Sequence, residues 1–539
     1  FPRMDVIIFT IFCAVLFGAI SWEFYVAADR KAWEAFIPVY STYVLVKIAE
    51  RPWWWVLLYC IPVVGVVRGI IMIYELLHVF KFRKTWQTAA VMGSLGLYLG
   101  YLNYQEKLKY WGRDDAYIKK NLGEGVNSIF FAIVVATVIR STTFEAYTIP
   151  TSSMEKSLMV GDFLFVSKMH YGVRVPMTQL SLPLVHNRIP FLGAPSYVSW
   201  HQIPYLRFPA FEDIKAGDPV VFNYPMDAMP VDKKENYVKR CMGAPGDTLT
   251  IVDRTVILNG NAFKFPDNSY PQFLYYIKTD GTSFNKDWLK KKFDINYLTS
   301  EEQRQYPTDQ DVYQRSQNEY IMFLQERHVD AIKSLPAVKA LWPISADRPG
   351  TPIDSTFPAG LLLIQEGQAE EILFPNPDTG HGERPYNDTW DNFGPIYIPQ
   401  AGATVELTEK NLHSYRRIIA EYEGHDLKIT KDRKVYIDGN ESTTYTFEKD
   451  YYWMMGDNRH NSLDSRKWGY VPSDHIVGKP VFIWMSYDKH GEGLSKIRTD
   501  RVFTLVNANG ERTSYFWHFV VFVVLYQIVI IVRRKRKSA

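Results

Sequence analysis

The sequence predicts a mainly β domain of antiparallel sheets, interrupted by a long mixed α/β insertion and flanked by transmembrane helices. From Ala146 to Pro225, short β-rich runs such as DFLFVSK and GDPVVFNYP alternate with proline and glycine, a pattern typical of strands. Between Asn285 and Ala346, the segments DWLKKKF, SEEQRQY and DVYQRSQNEYIMFLQERHVDAIKSL have helical propensity and spacing. Short strands are predicted again from Gly360 to Ile437.

Long apolar runs flank this β domain. Val6–Val26 and Tyr515–Val532 are apolar, and a membrane-spanning helix needs about 20 such residues. More membrane-like sequence follows the first run, so a cleavable signal peptide is disfavoured. Trp53–Phe80 contains Pro62, Gly65 and Arg68, and is predicted to be either one kinked span or a re-entrant hairpin. Two further candidate spans are Thr88–Leu102 and Val126–Phe144.

The charge distribution predicts the orientation of the chain. The loop Gln105–Leu122 and the tail Arg533–Lys537 are rich in lysine and arginine, which favours the cytoplasmic side of a membrane. The β domain between them is then predicted to lie outside. The basic cluster Lys81–Lys84 does not fit a simple alternation of spans, so the number of N-terminal spans stays open. The net charge of only +3 gives no reason to expect a nucleic-acid partner.

The cysteine and histidine content disfavours a metal or disulfide framework. Cys13, Cys60 and Cys241 are scattered and form no CxxC pair. The 12 histidines show no HExxH spacing. We therefore expect no metal site.

A serine followed by a lysine at the third position stands directly after the fourth apolar run. The segment Ser153–Lys156 matches the S-x-x-K motif of penicillin-binding proteins and β-lactamases. Their companion motifs K-T-G and S-D-N are missing from the chain, and the segment after it reads as a strand rather than a helix. A single DTG at Asp378–Gly380 is similarly weak as a sign of an aspartic protease, which needs two such carboxylates.

Four other stretches, in order along the chain, carry a stronger signal. They are IPTSSMEKSLMVGD at 149–162, AGDPVVFNYP at 216–225, YVKRCMGAPGDTLTI at 237–251 and YYWMMGDNRHNSLDSRKWGYVP at 451–472. Together they resemble the bacterial type I signal peptidases (leader peptidases), which are membrane-anchored serine proteases with a Ser-Lys dyad. The resemblance extends from about Arg140 to Tyr487. It leaves out most of the N-terminal membrane region and the bulk of the insertion.

The resemblance implies the site residues one by one. Ser153 matches the nucleophile and Lys239 the general base, while Thr151 matches a hydroxyl residue that assists the oxyanion hole together with the Ser153 backbone N–H. The residues that match the group supporting the lysine and its loop are Ser462, Asp464 and Arg466. Two positions depart from the family: Ser152 stands where glycine is frequent, and His460 where an acidic residue is usual. For Asp457, Asn458 and Arg466, a purely structural role and support of the site are both open.

A lysine can act as a base only when it is neutral. The reference pKa of lysine is about 10.4, so activation at neutral pH requires burial against apolar groups. Val238, Cys241 and Met242 beside Lys239 are consistent with such a setting. A lone lysine in a strand is otherwise usually exposed, and only the motif singles out Lys239.

The resemblance implies a membrane-bound serine endopeptidase that removes signal peptides from exported preproteins after small-x-small sites. The lysine implies the bacterial branch of the family, and hence a multi-pass protein of the cytoplasmic (inner) membrane with its catalytic domain on the outer face. The resemblance implies no metal or organic cofactor. Implied partners are preproteins and the lipid bilayer, and the secretion translocon is a further candidate. Two alternatives are an acyl-serine enzyme of the penicillin-binding type that uses Ser153 and Lys156, and an inactive membrane scaffold.

These observations divide the chain into seven predicted segments. They are an N-terminal membrane region (1–122), a transmembrane segment (123–144), the first part of the catalytic core (145–250), an inserted domain (251–447), the second part of the core (448–514), a C-terminal transmembrane helix (515–532) and a basic cytoplasmic tail (533–539).

Overall fold

A computed structural model shows two compact units within the chain. One unit consists of Phe1–Thr143, Arg174–Phe208 and Ala228–Lys234, and the other of Phe144–Val173, Pro209–Asp227 and Glu235–Ala539. The structure describes residues 2–60, 64–94, 96–114, 135–178, 180–182, 185–189, 192–200, 202–298, 310–344, 390–430, 432–491, 493–506 and 513–538.

The first unit is helical. Its helices are α1 (Pro2–Ala27), α2 (Tyr40–Ile48), α3 (Val64–Val79), α4 (Thr85–Gly93), α5 (Leu97–Gln105) and the helical residues 135–142, α6. Leu45 of α2, Leu76 of α3 and Leu99 of α5 meet in one buried core. An ion pair joins Arg51 to the buried Glu75, with 2.8 Å between Arg51 Nε and Glu75 Oε1.

The predicted membrane spans coincide only partly with these helices. Trp53–Phe80 is divided between a 3₁₀ helix at Trp53–Cys60 and α3, and Thr88–Leu102 falls on both α4 and α5. Most of Val126–Phe144 lies outside the described residues. Within the described part of the chain, no helix is both long enough and apolar enough to cross a membrane. The predicted N-terminal and C-terminal transmembrane helices, and with them the multi-pass arrangement, are therefore not confirmed.

An antiparallel sheet dominates the second unit, as the sequence predicts. Its strands follow the order β1-β2-β20-β3-β4-β18-β19, and β21 pairs with β20. The register places Val220 of β3 opposite Lys239 of β4, and Met454 of β18 opposite Cys241. All five side chains of β3 are buried, because Val220 and Phe222 pack into one apolar core and Val221 into another. The strands are β1 (Phe144–Thr148), β2 (Asp162–Ser167), β3 (Pro219–Asn223), β4 (Asn236–Gly243), β18 (Tyr451–Met455), β19 (Val471–Pro472), β20 (Ile476–Ser486) and β21 (Thr504–Leu505).

A second group of short strands shares a core with the main sheet. Trp453 and Tyr451 of β18 pack with Leu249 and Phe393 in this core. Helix α9 (Glu409–Arg417) begins with a capping box. The strands are β5 (Thr248–Val252), β6 (Thr255–Leu258), β7 (Asn261–Ala262) and β12 (Phe393–Tyr397) in one sheet, with the pair β13 (Thr404–Glu406) and β17 (Thr444–Thr446) and the triplet β14 (Leu427–Ile429), β15 (Val435–Ile437) and β16 (Asn440–Glu441) beside it in sequence.

A separate four-stranded sheet, which we call the inserted sheet, lies between β7 and β12 in sequence. Its order is β11-β8-β10-β9, and Ile277 and Met322 share a core with Leu289 of α7. The elements are β8 (Gln272–Thr279), α7 (Lys286–Phe293), β9 (Val312–Ser316), β10 (Glu319–Gln325), α8 (Glu326–Lys333) and β11 (Val338–Pro343). Residues 251–447 thus contribute to more than one core, and the predicted domain boundaries stay predictions.

One part of the predicted helical segment is wrong. The prediction of a helix holds for DWLKKKF, which forms most of α7, and for ERHVDAIK, which forms α8. The residues before α8 instead form β9 and β10, and SEEQRQY lies outside the described residues. In β10 nearly every side chain is buried, because the two faces of the strand pack into two different apolar cores, with Met322 in one and Phe323 in the other. A fully buried strand has no alternation of polar and apolar residues, so its pattern resembles that of a buried helix.

Candidate active site

Ser153 lies in a short turn that connects β1 with β2. The turn closes where the Ile149 N–H donates to the Asp162 carbonyl at 2.9 Å and the Gly161 N–H donates to the Ile149 carbonyl at 3.0 Å. Within it, Ser152–Met154 form one 3₁₀ turn. Met154 is fully buried and Ser153 partly buried, so the apolar Met154 anchors the turn while the neighbouring hydroxyl stays accessible.

Lys239 lies on β4, between β3 and β18 in the main sheet. Its side chain is buried, and Nζ lies 2.6 Å from Ser153 Oγ and 3.2 Å from the Val238 carbonyl oxygen. Burial lowers the pKa of Lys239 from 10.5 to about 8, against the opposing effect of the Asp464 and Asp457 carboxylates. The amine is therefore able to lose its proton close to neutral pH while in hydrogen-bond contact with a serine hydroxyl.

Asp464 and Arg466 organise the active-site loop, residues 456–466. The Asp464 carboxylate is buried and accepts hydrogen bonds from the Arg466 guanidinium at 3.0 and 2.8 Å and from the Gly456 N–H at 3.0 Å. The positive charge of Arg466 lowers the pKa of Asp464 in spite of its burial. Arg466 also donates to the Arg459 carbonyl at 2.6 Å. The loop is thus closed by one buried, bidentate ion pair.

Asn458 connects this loop to the serine turn. Its backbone N–H donates to the Ser153 carbonyl and its side-chain amide donates to the Ser152 carbonyl, both at 3.1 Å. The Asn461 amide donates to Ser152 Oγ at 3.1 Å. Sequence reasoning treated Ser152 only as a loop residue and left the role of Asn458 open, because a motif does not show which backbone an amide will reach.

A second buried ion pair, between Arg240 and Asp457, was missed by sequence reasoning. Arg240 Nε lies 2.8 Å from Asp457 Oδ1, and Arg240 also donates to the Gly217 carbonyl at 2.7 Å. Successive residues of a strand point to opposite faces, so Arg240 and Lys239 serve different partners. The available signal was a second basic residue, Arg240, between Lys239 and the apolar residues Cys241 and Met242.

The structure places Thr151 and Ser462 next to the site without deciding their roles. Thr151 is exposed and extended, immediately before the 3₁₀ turn. Ser462 is buried, and within the described contacts its hydroxyl forms no hydrogen bond with Lys239. A Cβ atom on Gly456 would lie 2.2 Å from Ser462 Oγ and 2.5 Å from the Ser153 carbonyl oxygen. The absence of a side chain at Gly456 therefore lets the loop approach the nucleophile.

Lys156, the lysine of the S-x-x-K match, contacts other groups. Its Nζ donates to Asp311 Oδ2 at 2.9 Å and to the Asp294 carbonyl, with the Asp294 carboxylate at 3.7 Å. These negative charges raise the pKa of Lys156 despite its burial. A lysine held protonated in this way is unsuited to act as the base of Ser153.

His460 occupies the position that is usually acidic in the family. Its Nδ1 accepts a hydrogen bond from the Leu274 N–H at 3.0 Å, and its Nε2 lies 2.8 Å from Asp391 Oδ1. Nε2 therefore carries the proton and donates it to Asp391. The histidine thereby connects the active-site loop to the inserted sheet. An ionised acidic side chain could accept the hydrogen bond from Leu274 but could not also donate one to Asp391.

One group of side chains has ligand atoms close enough for a metal ion. Atoms of Glu423, His425 and Glu448 lie within 4.8 Å of one another. Glu423 accepts hydrogen bonds from the Tyr451 hydroxyl at 2.8 Å and from the Tyr445 hydroxyl. Both oxygens of the Glu423 carboxylate therefore already accept hydrogen bonds from the protein, which favours a structural role for this cluster over metal binding.

Comparison with known proteins agrees with this geometry. A family model described as "Signal peptidase, peptidase S26" matches residues 122–328 and 398–485, more than half of the chain. The chain belongs to the signal peptidase family, peptidase S26. It is a serine endopeptidase of the signal peptidase I type, which removes signal peptides. The matched ranges contain Ser153, Lys239 and Asp464. Residues 33–113 match a second model, described only as a family of unknown function.

Curated proteins named "Signal peptidase I" are similar to this signal peptidase over much of its length. The protein from Buchnera aphidicola subsp. Acyrthosiphon pisum is 25% identical over 401 residues, covering 74% of this chain and 85% of its own. The protein from Haemophilus influenzae is 24% identical over 385 residues, covering 71% and 75%. The protein from Pseudomonas fluorescens is 31% identical over 136 residues, covering 25% and 37%.

Proposed function

We propose that this signal peptidase cleaves exported preproteins after small-x-small sites, with Ser153 as nucleophile and Lys239 as general base. The observation that carries the proposal is the distance of 2.6 Å between Lys239 Nζ and Ser153 Oγ, combined with a lysine pKa lowered to about 8. A neutral amine at this distance is positioned to take the hydroxyl proton.

The reaction then proceeds in two stages. Ser153 Oγ attacks the scissile carbonyl carbon as its proton moves to Lys239 Nζ, and the protonated lysine returns that proton to the leaving amine when the C–N bond breaks. In the second stage Lys239 takes a proton from water, the hydroxide attacks the acyl carbon, and the proton returns to Ser153 Oγ as the ester bond breaks. The Ser153 N–H and the Thr151 hydroxyl are the proposed donors to the oxyanion.

The supporting residues have distinct proposed tasks. Asp464 and Arg466 fix the active-site loop, and Ser462 fills the space beside Gly456 and the Ser153 carbonyl. None of these three side chains touches the reacting atoms. Their contribution is the orientation of the dyad, on which the rate depends strongly.

We further propose that the enzyme works on the outer face of the bacterial cytoplasmic membrane. Helix α10 (Phe516–Ser538) exposes a series of large apolar side chains, including Phe522 at 65% and Ile528 at 49%. Phe144 on β1 and Phe165 on β2 are also exposed, at 44% and 36%. Exposed apolar surface of this kind is typical of contact with a membrane or a protein, and preprotein substrates bring an apolar signal segment with them.

The test is cleavage of a model preprotein by the wild type and by Ser153→Ala, Lys239→Ala and the control Lys428→Ala, whose lysine is exposed. We expect both dyad variants to lose activity and the control to keep it. Normal cleavage by either dyad variant would disprove the dyad, and a wild type that cleaves no preprotein would favour an inactive scaffold. Labelling by a β-lactam that depends on Lys156 and not on Lys239 would instead favour a penicillin-binding type of enzyme.

A further inference from the structure

Lys156 lies three residues after Ser153 and is buried, with 4% of its surface exposed. Of its three acidic partners, Glu155 precedes it in the chain, with 3.9 Å between Lys156 Nζ and Glu155 Oε1, and the other two come from the region of the inserted sheet. Asp294 follows α7 directly, and Asp311 directly precedes β9. The ion pairs of Lys156 therefore connect the serine turn with a part of the chain that lies more than 130 positions away, as the sequence separation of 138 for Asp294 shows.

Asp311 is a fixed partner rather than a mobile surface carboxylate. Its Oδ2 accepts a hydrogen bond from the Asn296 N–H at 2.8 Å, and its own N–H donates to the Asn296 carbonyl at 3.0 Å. Its carbonyl accepts from the Phe323 N–H of β10 at 2.9 Å. Lys156 is thus paired with a carboxylate that the inserted sheet holds in place.

The backbone of Lys156 has a conformation that needs support. Its φ angle is +70°, in the left-handed region that residues with a side chain seldom adopt. Such conformations persist where the surrounding contacts impose them. The buried ion pair is one such contact. A second is the hydrogen bond from the Tyr270 N–H, two residues before β8 of the inserted sheet, to Ser157 Oγ at 2.9 Å.

The inserted sheet also contacts the active-site loop. At the start of β8, the Gln272 N–H donates to the Asp457 carbonyl at 2.9 Å, and the Gln272 carbonyl accepts from the Arg459 N–H at 3.0 Å. His460 adds the hydrogen bond from Leu274. One inserted element therefore holds both the turn that carries Ser153 and the loop that binds the Ser153 carbonyl.

We propose that Lys156 is a positioning residue, whose ion pair with Asp311 and Asp294 seats the serine turn against the inserted sheet and so sets the placement of Ser153 relative to Lys239. This inference rests on the proposed function of Ser153. Lys156 touches neither the substrate nor the reacting atoms, and acts through the turn. The long insertion thereby has a part in the reaction.

The test measures steady-state cleavage of a model preprotein by full-length Lys156→Met, Asp311→Asn, the double variant and Lys156→Arg. We expect each single change to lower kcat by about ten- to a hundredfold, with KM within about twofold because the substrate contacts remain. The double variant should be no slower than the slower single variant, because both changes remove the same interaction. Lys156→Arg, which keeps the charge, should recover most of the loss.

The matched control is Lys290→Met. Lys290 Nζ lies 2.8 Å from Asp294 Oδ1, but its side chain is 37% exposed. Its other described contacts are with Asn296 and Asp488 rather than with the serine turn. We expect its kcat within about twofold of the wild type. Circular dichroism of each variant establishes that it is folded at the assay temperature, and if Lys156→Met is not folded, Asp311→Asn carries the test.

The outcomes separate the two proposals. Activity in Ser153→Ala would overturn the proposed dyad itself. An inactive Ser153→Ala together with wild-type kcat in Lys156→Met and Asp311→Asn would leave the dyad intact and overturn the positioning role of Lys156. Additive losses in the double variant would also overturn it, since independent effects do not come from one shared ion pair.

Discussion

Lys239 Nζ and Ser153 Oγ lie 2.6 Å apart although 86 positions separate the two residues in the chain. A lysine only three positions from the serine, Lys156, is instead held by two aspartates. The difference between the two lysines is electrostatic. Burial with few compensating charges lowers the pKa of Lys239, whereas adjacent carboxylates raise that of Lys156.

The rate of cleavage should rise with pH through the pKa of Lys239. The base must be neutral, and at about one pH unit below its pKa roughly a tenth of the enzyme carries it in that form. We expect kcat/KM to increase about tenfold per unit below pH 8 and to level off above it. A pH–rate profile of the purified enzyme on a model preprotein measures this. A profile that is flat between about pH 6 and pH 9 would contradict a lysine base.

Replacing Lys239 by methionine should stabilise the folded protein at neutral pH while abolishing activity. The folded-state pKa of about 8 lies below the model value of 10.5, so below pH 8 both states are protonated and burial of the charge disfavours folding. The lowering of the Lys239 pKa from 10.5 to about 8 corresponds to a destabilisation of the folded state by about 3 kcal/mol at neutral pH.

The stabilisation by Lys239→Met should also depend on pH. Between pH 8 and 10.5 the folded wild type has released a proton that the unfolded chain keeps, so the stability of the wild type rises with pH and the advantage of Lys239→Met shrinks. Urea unfolding at several pH values measures the difference. The exposed Lys428→Met serves as the control, and its free energy of unfolding should match that of the wild type at each pH. A Lys239→Met variant that is less stable than the wild type at pH 7 would contradict the buried, destabilising charge.

Adding one methyl group at Gly456 should slow the reaction. The new Cβ would lie 2.2 Å from Ser462 Oγ and 2.5 Å from the Ser153 carbonyl oxygen, so the loop must move away from the serine turn. We expect kcat of Gly456→Ala to fall by about tenfold or more. Gly93→Ala is the control, because nothing lies within 4 Å of that Cβ position. Equal kcat values for the two variants would show that the close approach at Gly456 is not needed.

Neutralising Asp464 should move the pH profile to lower pH. The negative charge of Asp464 raises the pKa of Lys239 against the effect of burial, so Asp464→Asn removes an influence that favours the protonated amine. The rising limb of kcat/KM is expected below pH 8 in this variant, with a lower plateau because Arg466 loses its partner. Loss of that partner should also lower the free energy of unfolding by about 3 kcal/mol.

The control for this change is Asp426→Asn, whose carboxylate pairs with Lys428 at the surface with 60% of its side chain exposed. Its profile and its stability should match the wild type. A shift of the Asp464→Asn limb to higher pH would show that another charge governs Lys239.

Much of the β fold and of the candidate site was predictable from local pattern. DFLFVSK and GDPVVFNYP become β2 and β3, and the predicted dyad residues lie in contact. The hairpin β9–β10 was not predictable, because YIMFL is a continuous apolar run and its strand identity depends on the neighbours β8 and β9 on its two sides. The role of Asn458 was equally out of reach, since its partners lie about 300 positions away in sequence.

By itself, the sequence determined which residue types are present in which order: a serine after IPTS, a lysine in YVKRC and an Asp–Arg pair in NSLDSR. These motifs were sufficient to identify the family, because each motif is a short stretch of sequence and an insertion between two motifs does not change their order. The tertiary structure alone decided that burial lowers the pKa of Lys239, which carboxylates pair with Lys156, and that the inserted sheet contacts both the serine turn and the active-site loop. Those facts depend on burial and on charges brought together across long separations, and a pKa is set by the space around a group rather than by its neighbours in the chain.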